Sequence, residues 1–414
     1  MITVDSKMEC RSCEESLKRT FIDLGTSPIA NDLLTAARTK EKELILPLHV
    51  MTCDNCGLVQ LPEVASRETL FPENYLYFSS FSKSWLKHSK NYAEKMINKL
   101  DLRENDLVVE IASNDGYLLQ YFKKEGIPVL GIEPALDVAN SARSKGIQTI
   151  VDFFGMNLIE KILSNHKKPK LMIGNNVLAH VPNIHDFIAG FSALLADDGT
   201  ITFEFPHLLN LIKFNQFDTI YHEHYSYLSI TALIPIFTRH NLKIIEVEEL
   251  STHGGSLRLT LVKMDSLLSV DKSVAKILNE EIIYDPRQDK VIEKFTKSVE
   301  NCRQDLLREL KIAKANGLNV VAYGAAAKGN TLLNYANITS DLISYVVDLN
   351  PNKQNMYLPG SHIPVTSDTY LKTIPPDVIL VLPWNLSREI KEQLVSPELA
   401  KTRFLRAIPS VEYF

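Results

Sequence analysis

Two clusters of side chains in this chain have the composition for chemistry. Tyr221-His222-Glu223-His224 sets a phenol, two imidazoles and a carboxylate in four consecutive residues. Histidine titrates near neutral pH and an adjacent glutamate can hold it in one tautomer, so the run suits acid/base work. An H-x-H pair on a strand would instead aim both rings at one metal ion, and an exposed aromatic loop is the third reading. Near the N-terminus, Cys10-Arg-Ser-Cys13 and Cys53-Asp-Asn-Cys56 form two C-x-x-C knuckles. Together they offer four soft thiolates to one tetrahedral ion, which suits zinc. A closed four-thiolate shell leaves no position for water or substrate, so this zinc is expected to be structural. The alternative is a pair of disulfides or a redox dithiol. Gly57 follows the second knuckle, where a turn often needs a positive φ.

A third constellation reads as a cofactor site. Leu107–Ile111 is a strand candidate that runs into Ala112-Ser113-Asn114-Asp115-Gly116 and then a helix. Strand, small-residue loop and helix make the usual first unit of a nucleotide site, and Glu110 sits at the strand end. One glycine is too few for close backbone approach to a pyrophosphate. S-adenosylmethionine has no phosphate and tolerates this sparser loop; NAD or an unknown ligand is the alternative. Glu133, before Pro134 at the end of the next strand, can accept from both ribose hydroxyls. Asp152-Phe153-Phe154 pairs an acceptor for the adenine amino group with an aromatic face, and Asn175-Asn176 opens at the fourth strand end.

Further on, Gly324-Ala325-Ala326-Ala327-Lys328-Gly329-Asn330 also lies between a strand and a helix. It lacks the Walker order, but turn amides, a helix N-terminus and Lys328 can hold a diphosphate. Asp348 would meet a ribose or mark a turn, and Lys353 and His362 follow. A degenerate domain kept only for packing is the other reading. His253-Gly254-Gly255-Ser256-Leu257-Arg258 falls between the blocks, with glycines for close approach and Arg258 available to an anion; a turn entering an edge strand is its bland alternative.

These residues need three blocks to position them: 1–75 around the cysteines, with little regular periodicity; 76–265, where strands and helices alternate; and 266–414, a charged helical stretch broken near Asp285-Pro286 and then a second α/β pattern. The expected fold class is α/β, with a small zinc-binding domain and two Rossmann-like domains. Cys302 falls on an apolar helical stripe with Val291, Phe295, Val299, Leu306 and Leu310, a core position. A net charge of −5 argues against nucleic acid as the main partner. There is no apolar run of ~18 residues to cross a membrane and no leader-like start, so a cytoplasmic location is expected. Three domains already bury a large core, which fits a monomer.

The motifs, in order, resemble the zinc-containing, S-adenosylmethionine-dependent C-methyltransferases of nucleotide-deoxysugar biosynthesis, the dTDP-hexulose C-3′-methyltransferases. The resemblance spans nearly the whole chain. It includes the paired knuckles with Pro28-Ile29-Ala30-Asn31 between them, Tyr75-Leu76-Tyr77-Phe78-Ser79-Ser80, Glu110–Gly116, Asn175–His180, Tyr221–His224, His253–Arg258 and Gly324–Gly329. Ala112 departs from it, since the family more often has glycine there. The resemblance implies a nucleotide-linked 4-keto sugar, most simply a dTDP-4-keto-deoxysugar, methylated at C-3′ through an enolate. It implies His224 as the base, Glu223 and Tyr221 orienting it or stabilising the enolate, and His180 and Tyr75 facing the sugar. Tyr77, Ser79 and the 253–258 segment would lie at the substrate, with the last block as the nucleotide platform. Rival readings are an N- or O-methyltransferase, a zinc-stabilised cofactor-binding protein without turnover, and an oxidoreductase using the last domain.

Overall fold

The computed structural model describes residues 8–70 and 78–414. Tyr75 and Tyr77 lie outside the described residues. The N-terminal block holds two long antiparallel strands, β1 (Arg19–Pro28) and β2 (Ile45–Thr52), followed by the short β3 (Val59–Gln60). Their periodicity is hidden in the sequence because the pairing slips twice, between Thr20 and Ile22 and between Asp23 and Thr26. Each slip inserts a residue and inverts the in/out alternation. At the second, Gly25 takes φ 76° and donates its amide to the Asp23 carboxylate.

The middle of the chain builds a mainly parallel sheet. Its strands are β4 (Val108–Ile111), β5 (Val129–Ile132), β6 (Thr149–Ile150), β7 (Leu171–Asn175) and β8 (Thr200–Pro206). The next strand, β9 (Ser226–Tyr227), leaves that sheet. It pairs antiparallel with β3, Val59 opposite Tyr227 and Gln60 opposite Ser226. The chain then returns with β10 (Leu242–Leu250) and β11 (Ser256–Lys263), both antiparallel to their neighbours. The resulting order is β10-β11-β8-β7-β4-β5-β6. The order reverses between β4 and β7, so a crevice opens at their carboxyl ends, where ligands of doubly wound sheets bind.

Two helices, Lys272–Ile283 and Asp289–Ala315, lead to the last block, with Cys302 buried on the expected stripe. There β12 (Val320–Tyr323), β13 (Val346–Val347), β14 (Val365–Thr366), β15 (Val378–Val381), β16 (Arg403–Arg406) and β17 (Glu412–Tyr413) form one sheet, parallel except for β17. Its order, β14-β13-β12-β15-β16-β17, reverses beside β12.

The apolar cores do not respect these sheets. Cys10, Leu17, Cys53 and Leu58 belong to the core of the central sheet. Phe21, Leu48 and Val50 of β1 and β2 pack instead with Phe295, Val320 and Leu380 of the last block. The cysteine-bearing unit is therefore wedged between the other two. Among the described residues no helix is long and apolar enough to cross a membrane.

Candidate functional site

The four cysteine sulfurs lie within 4.8 Å of one another. Cys10 and Cys56 are 3.6 Å apart and Cys13 and Cys53 3.4 Å apart. A disulfide needs about 2.05 Å, so these are thiols. Tetrahedral ligands at the ~2.3 Å of a zinc–sulfur bond are separated by about 3.8 Å, close to what is seen. Gly57, at φ 74°, turns the second knuckle, its amide donating to the Cys53 carbonyl at 2.9 Å. Gln60 Nε2 donates to Cys10 Sγ at 3.0 Å, the second-sphere support a thiolate site uses. The donor set fits a structural zinc.

At the carboxyl ends of β4 and β5 the cofactor loop turns through left-handed backbone at Ala112 (φ 55°), Asn114 (φ 49°) and Gly116 (φ 76°). A β-carbon on Gly116 would fall 2.3 Å from Ile147. Glu133 holds the loop: its carboxylate accepts from the Asn114 amide at 3.0 Å and from the Ala135 amide at 2.9 Å. Burial pushes this carboxyl up to about 7 against those two bonds. Among the described residues, Asp115 Oδ1, Asn175 Oδ1 and Asn176 Oδ1 are buried acceptors without a hydrogen-bond donor. Ribose hydroxyls, an adenine amino group and an amino acid ammonium are donors, whereas a pyrophosphate brings only acceptors. The crevice thus fits an adenosyl cofactor better than a dinucleotide. Asp152 accepts from the Phe153 amide at 2.8 Å, and Pro134 and Phe153 stay partly exposed.

Ala112 occupies a conformation that costs an L-residue about 1–2 kcal/mol and glycine almost nothing. After the extra chain entropy of glycine, Ala112→Gly should still stabilise by about 0.5–1 kcal/mol. Thermal unfolding reads this as an upward shift; a lower melting temperature would mean that the methyl makes packing contacts outweighing the strain.

The histidine cluster is a buried turn, not a strand. His224 Nδ1 meets the Thr219 carbonyl at 2.7 Å. A carbonyl only accepts, so Nδ1 carries the proton and the neutral ring keeps its lone pair on Nε2. His180 is fixed the same way by the Glu223 carbonyl at 2.8 Å. The two rings meet edge to face with centroids 4.7 Å apart, and the Tyr221 ring lies 4.0 Å from that of His224. Burial first, then the nearby charges of His180, Lys328 and His253, holds His224 well below the usual imidazole value. Burial brings His180 to about 4.

Lys328 approaches this cleft from the last block, at the start of the helix Ala327–Tyr335. Its ammonium lies 4.9 Å over the Trp384 ring, whose Nε1 donates to Asp218 Oδ2 at 2.7 Å. Burial lowers Lys328 while Asp218 opposes the shift. His253 completes the rim, with Nε2 3.3 Å from Asn176 Nδ2 and its ring against Trp85. Gly254 makes this joint possible, because a β-carbon there would lie 2.2 Å from Trp384.

Several residues singled out from the sequence stand elsewhere. Glu223 does not touch His224 with its carboxylate; Asn31 Nδ2 donates to it at 2.8 Å, and burial raises it to about 7. Arg258 is not available to an anion: it is buried against Glu204 at 2.6 Å and Glu248 at 3.1 Å, over the Tyr92 ring. His362 pairs with Glu43 at 2.6 Å, on the seam with the N-terminal block. Asn330 is buried, with its amide on the Ala30 carbonyl. Phe154 packs into the core with Phe187 and Phe191. Glu110 is fully buried beneath the loop, and desolvation raises its pKa well above the usual carboxylate value. Asp348 accepts from the Ala325 amide at 2.8 Å and Lys353 donates to the Ala325 carbonyl at 2.7 Å, so both brace the loop itself. Gly324 and Gly329 are small for packing, since β-carbons there would meet Pro383 at 2.4 Å and Leu382 at 2.7 Å. Gly255 (φ 118°) likewise accommodates Asn210, and Ser79 donates its amide to Asn114 Oδ1 at 2.8 Å.

Sequence reasoning missed Asn31 as a partner of Glu223, although the Pro28–Asn31 motif carried the signal. It missed Asp218 and Trp384, which have no motif. It also missed Trp85 and His88, three apart on the helix Lys83–Leu100, whose rings stack at 5.0 Å beside the cleft.

Comparison with known proteins gives three matched family models. A zinc binding domain matches residues 10–71, a methyltransferase domain 85–247, and a C-methyltransferase C-terminal domain 251–409. The chain is 34% identical to C-methyltransferase NovU of Streptomyces niveus over 382 residues, 92% of this chain and 91% of that one. Among solved structures it is similar to magnesium protoporphyrin IX methyltransferase of Synechocystis PCC 6803 with bound SAM, at 14% identity and a TM-score of 0.35, covering 49% of this chain and 100% of that one. It is also similar to an S-adenosylmethionine-dependent methyltransferase of Clostridium acetobutylicum, at 10% identity and a TM-score of 0.34, covering 43% and 92%.

Proposed function

Because the chain belongs to the zinc-binding C-methyltransferase family, we propose that it methylates C-3′ of a nucleotide-linked 4-keto-deoxysugar, with S-adenosylmethionine as donor and His224 as base. The observation that carries this reading is the state of His224: neutral, its Nδ1–H tied to the Thr219 carbonyl, its Nε2 lone pair left for a proton. Oxygen and nitrogen nucleophiles already carry a lone pair. A carbon nucleophile must be made by deprotonation, and a desolvated base beside cationic and hydrogen-bonding groups suits that task.

His224 Nε2 takes the C-3′ proton, and the C–H electron pair moves toward the C-4′ carbonyl, leaving an enolate. Tyr221 and Lys328 bring donors to the cleft for the developing oxyanion, while His180, its one N–H held by the Glu223 carbonyl, presents only a lone pair at Nε2. When bound, the cofactor would supply an electrophilic methyl on a sulfonium, the new C–C bond at C-3′ forming with inversion there as the S–CH3 bond breaks and its electron pair stays on the departing thioether sulfur. Glu133, Asp115, Asn175 and Asn176 would hold the adenosyl and methionyl groups. Lys328 and the turn at 324–326 would face the diphosphate.

The pH dependence follows from the base. It works when neutral, and its depressed pKa keeps it neutral as pH falls. The acid limb of kcat/KM should therefore lie below pH 6.5, the ordinary imidazole value. A limb centred at or above 6.5 would point to another base. The reaction itself is tested with labelled S-adenosylmethionine and dTDP-4-keto-2,6-dideoxyglucose, read by mass spectrometry and NMR of the sugar. A new methyl on C-3′ is expected. A methyl on oxygen or nitrogen, with the same cofactor turnover, would overturn the carbon-transfer reading.

A further inference from the structure

One residue of the first knuckle turns away from the sulfur cluster. Arg11 stands between Cys10 and Cys13, and its guanidinium runs toward the histidines. Nη1 donates to the Pro182 carbonyl at 3.3 Å, two residues past His180. Nη2 donates to the Leu61 carbonyl at 2.5 Å, and the plane lies over the Tyr225 ring, 5.3 Å from its centroid. Tyr225 directly follows His224, and its carbonyl accepts from the Leu61 amide at 3.0 Å. At the other end, the Arg11 amide and Nε both donate to Gln60 Oε1, at 3.0 and 3.3 Å, while the Gln60 amide nitrogen reaches Cys10 Sγ. One planar group therefore touches the segment bearing His180, the segment bearing His224, and the strand that supports the metal site.

We infer that Arg11 is a positioning residue for the His180–His224 pair, carrying the rigidity of the cysteine cluster to the two catalytic segments. The two segments come from different strand ends of the central sheet, after β7 and after β8. A guanidinium suits the task because its donors are fixed in a planar fork and its face can stack on an aromatic ring. Lysine brings the charge without the fork or the face. The inference rests on the reading of His224 as base, where a displacement of about 1 Å can cost on the order of 10²-fold in rate.

The test compares Arg11→Lys, Arg11→Ala and Tyr225→Leu with the unaltered protein. Tyr225→Leu removes the stacked ring from the far side and leaves the knuckle intact. Zinc content and melting temperature identify any variant that has lost the metal site. Imidazole 15N and 1H NMR then reports the His180 and His224 Nδ1–H bonds without requiring turnover. All three variants are expected to shift those signals with zinc retained. Their kcat should fall about 10- to 100-fold, Arg11→Ala most and Arg11→Lys least, with the KM for S-adenosylmethionine nearly unchanged. Arg11→Lys combined with Tyr225→Leu should lose less than the sum of the two. Unshifted histidine signals in zinc-loaded Arg11→Lys and Tyr225→Leu would overturn the inference, as would a kcat loss that only tracks lost zinc. An unaltered protein inactive on every nucleotide sugar would sink the proposed reaction instead, while the NMR arm still decides the role of Arg11.

Discussion

His224→Asn should lower kcat for methyl transfer by about 10²–10⁴-fold, the usual contribution of a positioned base. The asparagine amide can still donate to the Thr219 carbonyl, so the turn that 2.7 Å bond secures should survive. The asparagine side chain itself has no basic lone pair to take a proton from carbon. Cofactor affinity should change little, because the loop at 112–116 and Glu133 lie at a different strand end. Two measurements separate loss of the base from loss of the fold. The melting temperature should stay within a few degrees. Deuterium from solvent should enter C-3′ in the unaltered protein without methyl donor and fail to enter in the variant. Undiminished deuterium exchange in the variant would remove His224 from the chemistry and turn attention to His180 or Tyr221.

Cys53→Ser should do broader damage. Structural zinc sites of this kind bind with apparent free energies of about 10–16 kcal/mol, while an ordinary domain is stable by about 5–15 kcal/mol in total. Losing one of four thiolates therefore removes an amount comparable to the stability of the whole unit. The damage should not stay local. Cys53 is fully buried in the core of the central sheet, and β1 and β2 pack on the last block. We expect the variant to lose zinc by elemental analysis and to unfold in one broadened transition at a much lower temperature, or to accumulate as insoluble protein. A metal-free variant with an unchanged melting curve would show that the sulfur cluster does not hold the fold.

Much of this was legible in the sequence where a local rule acts alone. The strand ends of the central sheet could be read because buried parallel strands give continuous apolar runs bounded by loops. The C-x-x-C spacing encodes its own geometry, and the interruption at Asp285-Pro286 marked the break between two helices. The bulged strands of the N-terminal block were illegible because their register slips scramble the alternation that would reveal them. The site was harder for a different reason. Its chemistry-bearing residues were in view, but their partners are decided by packing between distant segments. The sequence shows Arg258 after two glycines, and only the fold brings Glu204 and Glu248 to neutralise it. It shows Glu223 next to His224, yet consecutive side chains of a tight turn diverge, and Asn31 from another block receives the carboxylate. Asp218 and Trp384 belong to no motif, so their meeting beneath Lys328 had no signature to find.

The pairing of β3 with β9 bears on how such a protein can be recombined. Val59 and Gln60 hydrogen-bond to residues more than 160 positions away, in the stretch that directly follows the histidine cluster. A chimera that joins the first 75 residues of one relative to the remainder of another keeps the seven-stranded and six-stranded sheets whole. It still splits one strand pair, and the packing of Arg11 on Tyr225, between two parents. The natural crossover for exchange lies later, near residue 264, where β11 has closed the central sheet. An exchange there leaves β3 and β9 with one parent, but the incoming block must still match Asp218 with its Trp384 and Ala30 with its Asn330.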